Sequence, residues 1–337
     1  MHPQRSPVVA FVAVVTLSAA LVVTRADVEA PGTEVTAAGS TLPSVTAPAA
    51  AEPQLDPDLH LTRASDPDRT IVEDVDGAWV ATFTDGASTV ALAGPERTFD
   101  EQTATHAVTT DAWVRLLPAP FDGEIDIAWF EAARLDDGPD VFELATEYLS
   151  GAADIYDEDG VLLAADAAYG PLQPDGSRPV GSDWHDFKGI DAQYDGEVDP
   201  AKPEEYRALD CSGYTRTIFG ARLGMEMSLR PDGGTSLPRR SFEQAADAPG
   251  VVPIADGTLD VDRLQAGDLV FFDSPADDDG RIDHVGIYLG VDEGGHHRFV
   301  HSRRSANGPT MGGDEHGPSI LDGDGYFARG FVSTRRL

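Results

Sequence analysis

The chain has 337 residues, 41% of them hydrophobic, enough to bury a core without disulfide staples. Lys and Arg total 24 against 59 Asp and Glu, a formal net charge of -35; such a surface repels nucleic-acid phosphates and anionic lipid, and no basic stripe offsets it. One cysteine, Cys211, excludes an intrachain disulfide framework, a thiolate-rich zinc site and a Cys-ligated iron–sulfur cluster.

His2 and Arg5 precede an apolar run from Val8 to Val23. As a helix that run spans ~24 Å, short of the ~30 Å hydrocarbon core of a bilayer. The expectation is a signal peptide over residues 1–30, cut after Val28-Glu29-Ala30, rather than a retained anchor. No cysteine follows the run, so a lipoprotein-type anchor is not expected, nor is stable membrane insertion once the signal is gone. The mature chain is expected outside the cytoplasm, secreted or at the envelope. Residues 31–58 are rich in Ala, Thr and Pro and hold no aromatic residue. They cannot bury enough surface to offset chain entropy and read as a disordered linker.

An accessory region follows over residues 59–165. Ile71–Val75, Trp79–Phe83 and Thr89–Leu92 are β-rich runs punctuated by Asp76-Gly77 and Asp85-Gly86, as hairpin turns would be. Thr109–Leu117 is a further strand. Ile125–Arg134 and Val141–Tyr148 carry apolar residues at helical spacing. This region is expected to be a small α+β or mainly-β domain.

The last region spans residues 166–337. Tyr169–Gly196 reads as an ordered loop. A helix carrying Cys211 in its first turn, with Asp210 as a candidate N-cap, is expected to stop at Gly220. Leu264–Phe272 reads as a turn into a strand. Asp283–Gly290, Arg298–His301 and Tyr326–Val332 read as strands. A thiol-bearing helix followed by several strands is an α+β arrangement.

A lone thiol in an exported chain calls for a reason. A free thiol has a pKa of ~8.5, and a helix N-terminus and a nearby imidazolium both favour the anion. The helix start supplies the first, and His284, opening a strand, is placed to supply the second. His284 would act as general base, then as general acid for a leaving amine. His301, ending the next strand, would orient it from the far ring nitrogen. The backbone N–H of Cys211 is a natural oxyanion donor. Cysteine is also among the most often buried residues, so spacing alone leaves a plain core thiol open. His296 and His297 beside Asp292 lack an ordered metal-ligand pattern, and the acidic loop before His284 does not match a calcium hand. No metal or cofactor is expected.

Four blocks in order, DCSGYTRTIFG, AGDLVFF, HVGIYLG and FVHS, resemble the NlpC/P60 family of cell-wall cysteine peptidases, and GYFARGFVSTRRL is similar to its last strand. The resemblance covers about residues 180–335. It implies a papain-like core in which the cysteine helix packs on an antiparallel sheet bearing the histidines. It further implies Cys211 as nucleophile, His284 as base and His301 as third member, with Asp210 and Ser212 supporting the helix start. The implied partners are peptidoglycan stem peptides, cut at the D-γ-glutamyl–meso-diaminopimelate bond through a thioester, with no cofactor. Other outcomes on this scaffold are an amidase, a transpeptidase or a non-catalytic wall-binding protein.

The chain departs from the family in lacking a Tyr-x-Trp-Gly-Gly-like stretch before the cysteine. Trp184, Phe187, Tyr194 and Tyr206 are candidates for the missing aromatic, and Arg303 and Arg304 for meeting a substrate carboxylate. Oligomeric state is not set by the sequence, which shows no coiled-coil heptads.

Overall fold

Local turn chemistry builds the first sheet. Strands β1 (His60–Ala64), β2 (Arg69–Glu73), β3 (Trp79–Thr84), β4 (Thr89–Phe99) and β5 (Val108–Leu116) pair antiparallel in sequence order. They are seen in a computed structural model that describes residues 54–194, 196–275 and 280–337. The expected signal and most of the linker lie outside the described residues, as does part of the acidic loop before His284. Between β2 and β3 the Asp74 carboxylate accepts the N–H groups of Asp76 and Ala78, each at 2.9 Å, and Gly77 takes φ 78°. Strand β1 was not anticipated. It is an exposed edge, and HLTRA shows no apolar alternation.

Helix α1 (Ile127–Leu135) is capped by Asp126 and lays Phe130 edge-on to Phe83. Helix α2 (Val141–Thr146) starts at Asp140, which is fully buried and fully used. Its carboxylate takes N–H groups of Phe142, Glu143 and Val114 and both arms of Arg97, all at 2.8–3.1 Å. A small hairpin of β6 (Ile155–Tyr156) and β7 (Leu162–Ala164) follows.

The stretch expected as an ordered loop contains helix α3 (Trp184–Lys188) and strand β8 (Ala192–Tyr194), which pairs with β9 (Glu197–Asp199) just beyond it. A reciprocal cap sets the helix: Asp183 bonds the first helical N–H while Asp186 reaches back to the Asp183 N–H at 3.0 Å.

Helix α4 (Cys211–Arg216) does not stop at Gly220 as expected. It runs on through Arg222 in a wider turn, with the Leu223 N–H bonding the Ile218 carbonyl five residues back. Gly220 packs rather than caps, because a Cβ there would lie 2.2 Å from the Met227 sulfur. Helix α5 (Ser241–Asp247) follows.

The second sheet holds β10 (Leu269–Phe272), β11 (His284–Val291), β12 (His297–Arg303), β13 (Gly308–Thr310) and the last strand, β16. Before the last strand come the short hairpin β14 (Gly313–Asp314) and β15 (Gly317–Pro318), and helix α6 (Tyr326–Gly330). The expected strand over Tyr326–Val332 is thus corrected: α6 takes its first part, and β16 is Phe331–Arg335. The order β13-β12-β11-β10-β16 is antiparallel between neighbours.

This sheet is buried on both faces. Leu269, Phe271, Val285, Ile287 and Val300 pack into the main core with Tyr214, Ile218 and Cys211. The alternate residues Val270, Phe272, Tyr288 and Phe299 pack with Phe327 and Phe331 on the other face. The main core also takes Phe99, Val108, Val114 and Phe142, so one apolar cluster runs from the first sheet into the second. Polar contacts join the sheets too: Arg336 bonds both carboxylate oxygens of Asp268 and the Thr84 hydroxyl. The architecture is α+β, a mainly-β region followed by a helix packed on an antiparallel sheet. No described helix is long and apolar enough to cross a membrane.

Candidate active site

Asp210 makes the start of α4. Its carboxylate accepts the Gly213 N–H at 2.7 Å, its carbonyl takes the Tyr214 N–H, and its side chain also takes the Gly181 N–H and both arms of Arg239. Arg239 further donates to the Ser212 hydroxyl at 2.8 Å. Asp210 and Ser212 therefore anchor the turn that presents Cys211. Gly213 is required by close approach, since a Cβ would sit 2.2 Å from the Ser182 carbonyl oxygen.

Beneath the turn lies a second ion pair, Arg216 with Asp183, both buried. Burial would raise the Asp183 carboxyl, but Arg216 and Arg239 reverse this and hold it below its ordinary value. Arg216 also donates to the Tyr194 hydroxyl at 2.7 Å, and Trp184 Nε1 donates to the same oxygen at 2.6 Å. Tyr194 and Trp184 thus brace the helix from behind and line neither cavity of the cleft. Tyr206 is 46% exposed, packs against Gly189 and lines neither cavity. Phe187 is core, edge-on to Tyr148.

Tyr169, which the motif reading missed, lines the cleft beside the thiol, and Phe242, Tyr326 and Phe327 line it further out. Leu209 donates its N–H to the Ala168 carbonyl at 2.8 Å, which sets Tyr169 beside Asp210 and Cys211. A lone Tyr-Gly 42 positions before the thiol carries no motif that could have flagged it.

The Cys211 sulfur faces the start of β11. It lies 3.8 Å from the Asp283 carbonyl oxygen, and the Val285 N–H also reaches it, so the residues on either side of His284 touch the thiol. His284 Nε2 is 2.5 Å from His301 Nδ1. His301 Nε2 is 2.9 Å from the Ser319 hydroxyl, a residue the sequence reading did not single out. Gly286 makes room for this, because a Cβ there would meet the Phe299 ring at 2.6 Å and the His301 Cβ at 3.1 Å. Phe272, Phe299 and Phe327 wall the two imidazoles.

Burial works against the expected thiolate. Burial, then the Asp210 carboxylate, pushes the Cys211 thiol up to about 12. Burial, then the Arg303 charge, pushes His284 down to about 3, and burial holds His301 well below its ordinary value. A helix start contributes a fraction of a charge, whereas the N-cap here is a full carboxylate in a dry site. Both shifts favour the thiol and the neutral imidazole.

Two cavities meet at this point, sharing Val180 and Asp283. One, of about 600 Å³, is lined by His284, Tyr169, Arg178, Arg303 and Arg304. The other, of about 420 Å³, is lined by Cys211, Asp210, Ser212, Arg240 and Arg281. Arg303 is not open to a ligand carboxylate as expected: it is buried, paired to Asp314 and laid on the Phe327 ring. Arg304 is exposed. No cluster of metal ligands is present among the described residues.

A thiol in the first turn of a helix is thus packed on an antiparallel sheet that bears a coupled histidine pair. Residues 201–311, about a third of the chain, match the model of the NlpC/P60 family. Members of that family are generally cell-wall peptidases. A crystal structure from Staphylococcus aureus, described as similar to a lipoprotein of the NLP/P60 family, shares 22% identity over 46% of this chain, with a TM-score of 0.26. The match spans 38% of that protein's own length. No curated protein matches the chain.

Proposed function

We propose that the chain is an extracytoplasmic cysteine endopeptidase that hydrolyses peptidoglycan stem peptides, with residues 59–165 as an accessory region and 166–337 as the catalytic part. The observation that carries this is the thiol of Cys211 set against the stretch of β11 that bears His284, with His284 Nε2 bonded to His301. That bond leaves Nδ1 of His284 for the thiol.

His284 Nδ1 takes the Cys211 proton as the sulfur attacks the amide carbonyl carbon. The oxyanion forms at the Cys211 N–H, while the Gly213 and Tyr214 N–H groups are already bound by Asp210. The C–N bond breaks, His284 protonates the departing amine, and a thioester remains. Water then gives a proton to His284 and attacks the thioester. The sulfur leaves and is reprotonated by His284. Arg178 and Arg304 on one side, and Arg240 and Arg281 on the other, place guanidinium groups in the lining beside the carboxylates of Asp210, Asp283 and Glu315. That lining suits a peptide carrying carboxylates on both sides of the scissile amide, as at the D-γ-glutamyl–meso-diaminopimelate bond.

The test is mass spectrometry of muropeptides after incubation of the purified chain with defined peptidoglycan, beside Cys211→Ala. New fragments ending at D-Glu, absent with the variant, are expected. Whole stems released from the glycan with a free N-terminal amine point to an amidase, and joined stems to a transpeptidase.

A non-catalytic wall-binding role is the second reading, favoured by the thiol's position at about 12. It expects equal sacculus binding by the chain and by Cys211→Ala, with no cleavage by either.

A further inference from the structure

The hydroxyl of Ser319 has one proton and two neighbours. The Gly312 carbonyl oxygen, at 2.7 Å, can only accept, so the proton lies there. His301 Nε2, at 2.9 Å from the same oxygen, must then be the donor and carry a hydrogen. A neutral His301 with its proton on Nε2 presents a lone pair at Nδ1. His284 Nε2, at 2.5 Å, must fill it with its own N–H. His284 in turn has an unprotonated Nδ1, the form that can receive a thiol proton.

We propose that Ser319 is a positioning residue that fixes the tautomers of His301 and His284 so that His284 meets Cys211 as a base. The inference rests on His284 acting as that base, and it extends the dyad to a relay whose last member lies beyond the matched stretch 201–311. Ser319 and His301 are both fully buried, so the relay is desolvated along its length. When Nδ1 of His284 accepts the thiol proton, the imidazolium still donates its Nε2–H to His301 Nδ1, and His301 stays neutral because its own proton remains on Nε2, donated to the Ser319 oxygen.

The segment that receives the Ser319 proton is held from the first sheet region. The Glu101 carboxylate accepts the Thr310 hydroxyl at 2.8 and 2.9 Å and the Met311 N–H at 2.6 Å. The Thr103 carbonyl accepts the Gly313 N–H at 3.1 Å. Gly312 is thus gripped on both sides by the loop between β4 and β5. A Cβ on Gly312 would lie 2.0 Å from the Thr103 hydroxyl oxygen.

The test reads tautomers directly, by two-bond proton–nitrogen correlation on the full chain labelled with ¹⁵N-histidine, alongside steady-state kinetics on a stem peptide. In the unmodified chain near pH 7, His284 and His301 are expected as the Nε2–H form. Ser319→Ala is expected to move His301 toward Nδ1–H and to lower kcat about ten- to a hundredfold, with KM within about twofold. Ser319→Thr, which keeps the hydroxyl, restores both. An Nδ1–H His301 in the unmodified chain overturns the proposal, as does a Ser319→Ala protein with unchanged tautomers or unchanged kcat. If Ser319→Ala does not fold, the spectrum of the unmodified chain decides. If the chain cleaves no stem peptide, the endopeptidase reading fails while the tautomer measurement still decides this one.

Discussion

The two five-stranded sheets are built from similar residues and do different work. In the first, strands follow one another in sequence order, and β1 lies fully at the surface. Its apolar core is Val72, Val80, Phe83, Val90 and Leu92 against Phe121 and Phe130, and its buried charges, Asp140 and Arg115, are spent on ion pairs and backbone groups. In the second, β10 is flanked by strands far apart in the chain, and six consecutive residues of both β11 and β12 are buried. That double burial encloses His284, His301, Arg298 and Arg303 along with the apolar residues. A sheet left open along its β1 edge is a scaffold. A sheet covered on both faces can strip water from imidazoles and shift their protonation, and the candidate site sits there.

The comparison breaks first at His284. His284→Gln is expected to lower kcat for stem-peptide cleavage about a thousandfold with little loss of stability, because a general base contributes roughly 10²–10⁴-fold. Retained activity would sink the proposed mechanism. Phe83→Ala, in the first sheet, should do the reverse. It removes a buried ring and should cost about 3–5 kcal/mol in urea unfolding while kcat stays within about twofold. A matching fall in kcat would show that the first sheet does more than brace.

Acid should separate the sheets more gently. His284 sits at about 3 against an ordinary 6.5, and His301 is also held low. Between those values the unfolded rings bind protons and the folded rings do not, so stability falls as pH drops below about 6.5 toward 3. His284 contributes about 1.4 kcal/mol per pH unit in that window and nothing above it, and His301 acts in the same direction. Urea midpoints from pH 7 to 4 should therefore fall less steeply for His284→Gln/His301→Gln than for the unmodified chain. Equal slopes would contradict the neutral-pair assignment. The smallest effect is expected at the first hairpin. Gly77 has φ 78° and open space around it, so Gly77→Ala should cost about 1 kcal/mol by thermal melting, through backbone strain alone.

Much of this was legible in the sequence because it is local. The Asp-Gly turns mark the first hairpins, apolar spacing marks α1 and α2, and Asp210 before Cys211 marks the capped helix. Tyr169 and Ser319 were illegible because each reaches the site through backbone pairing across a long span: Ala168 beside Leu209, and Ser319 beside Gly312 and Phe299. Tyr194, Trp184 and Tyr206 were plausible by proximity in sequence, yet the fold turns the first two into a brace for Arg216 and leaves the third at the surface. Gly220 looked like a stop because glycine caps helices. Here the Met227 side chain needs the space.

By itself the sequence determined the α+β class, the order of the four motif blocks and the thiol and histidines they carry, since these depend on residue type and short-range spacing. Only the tertiary structure decided the protonation state of those groups. Burial is a property of what packs on both faces of a sheet, and it raised the thiol and lowered the imidazoles against the expectation from the helix start alone.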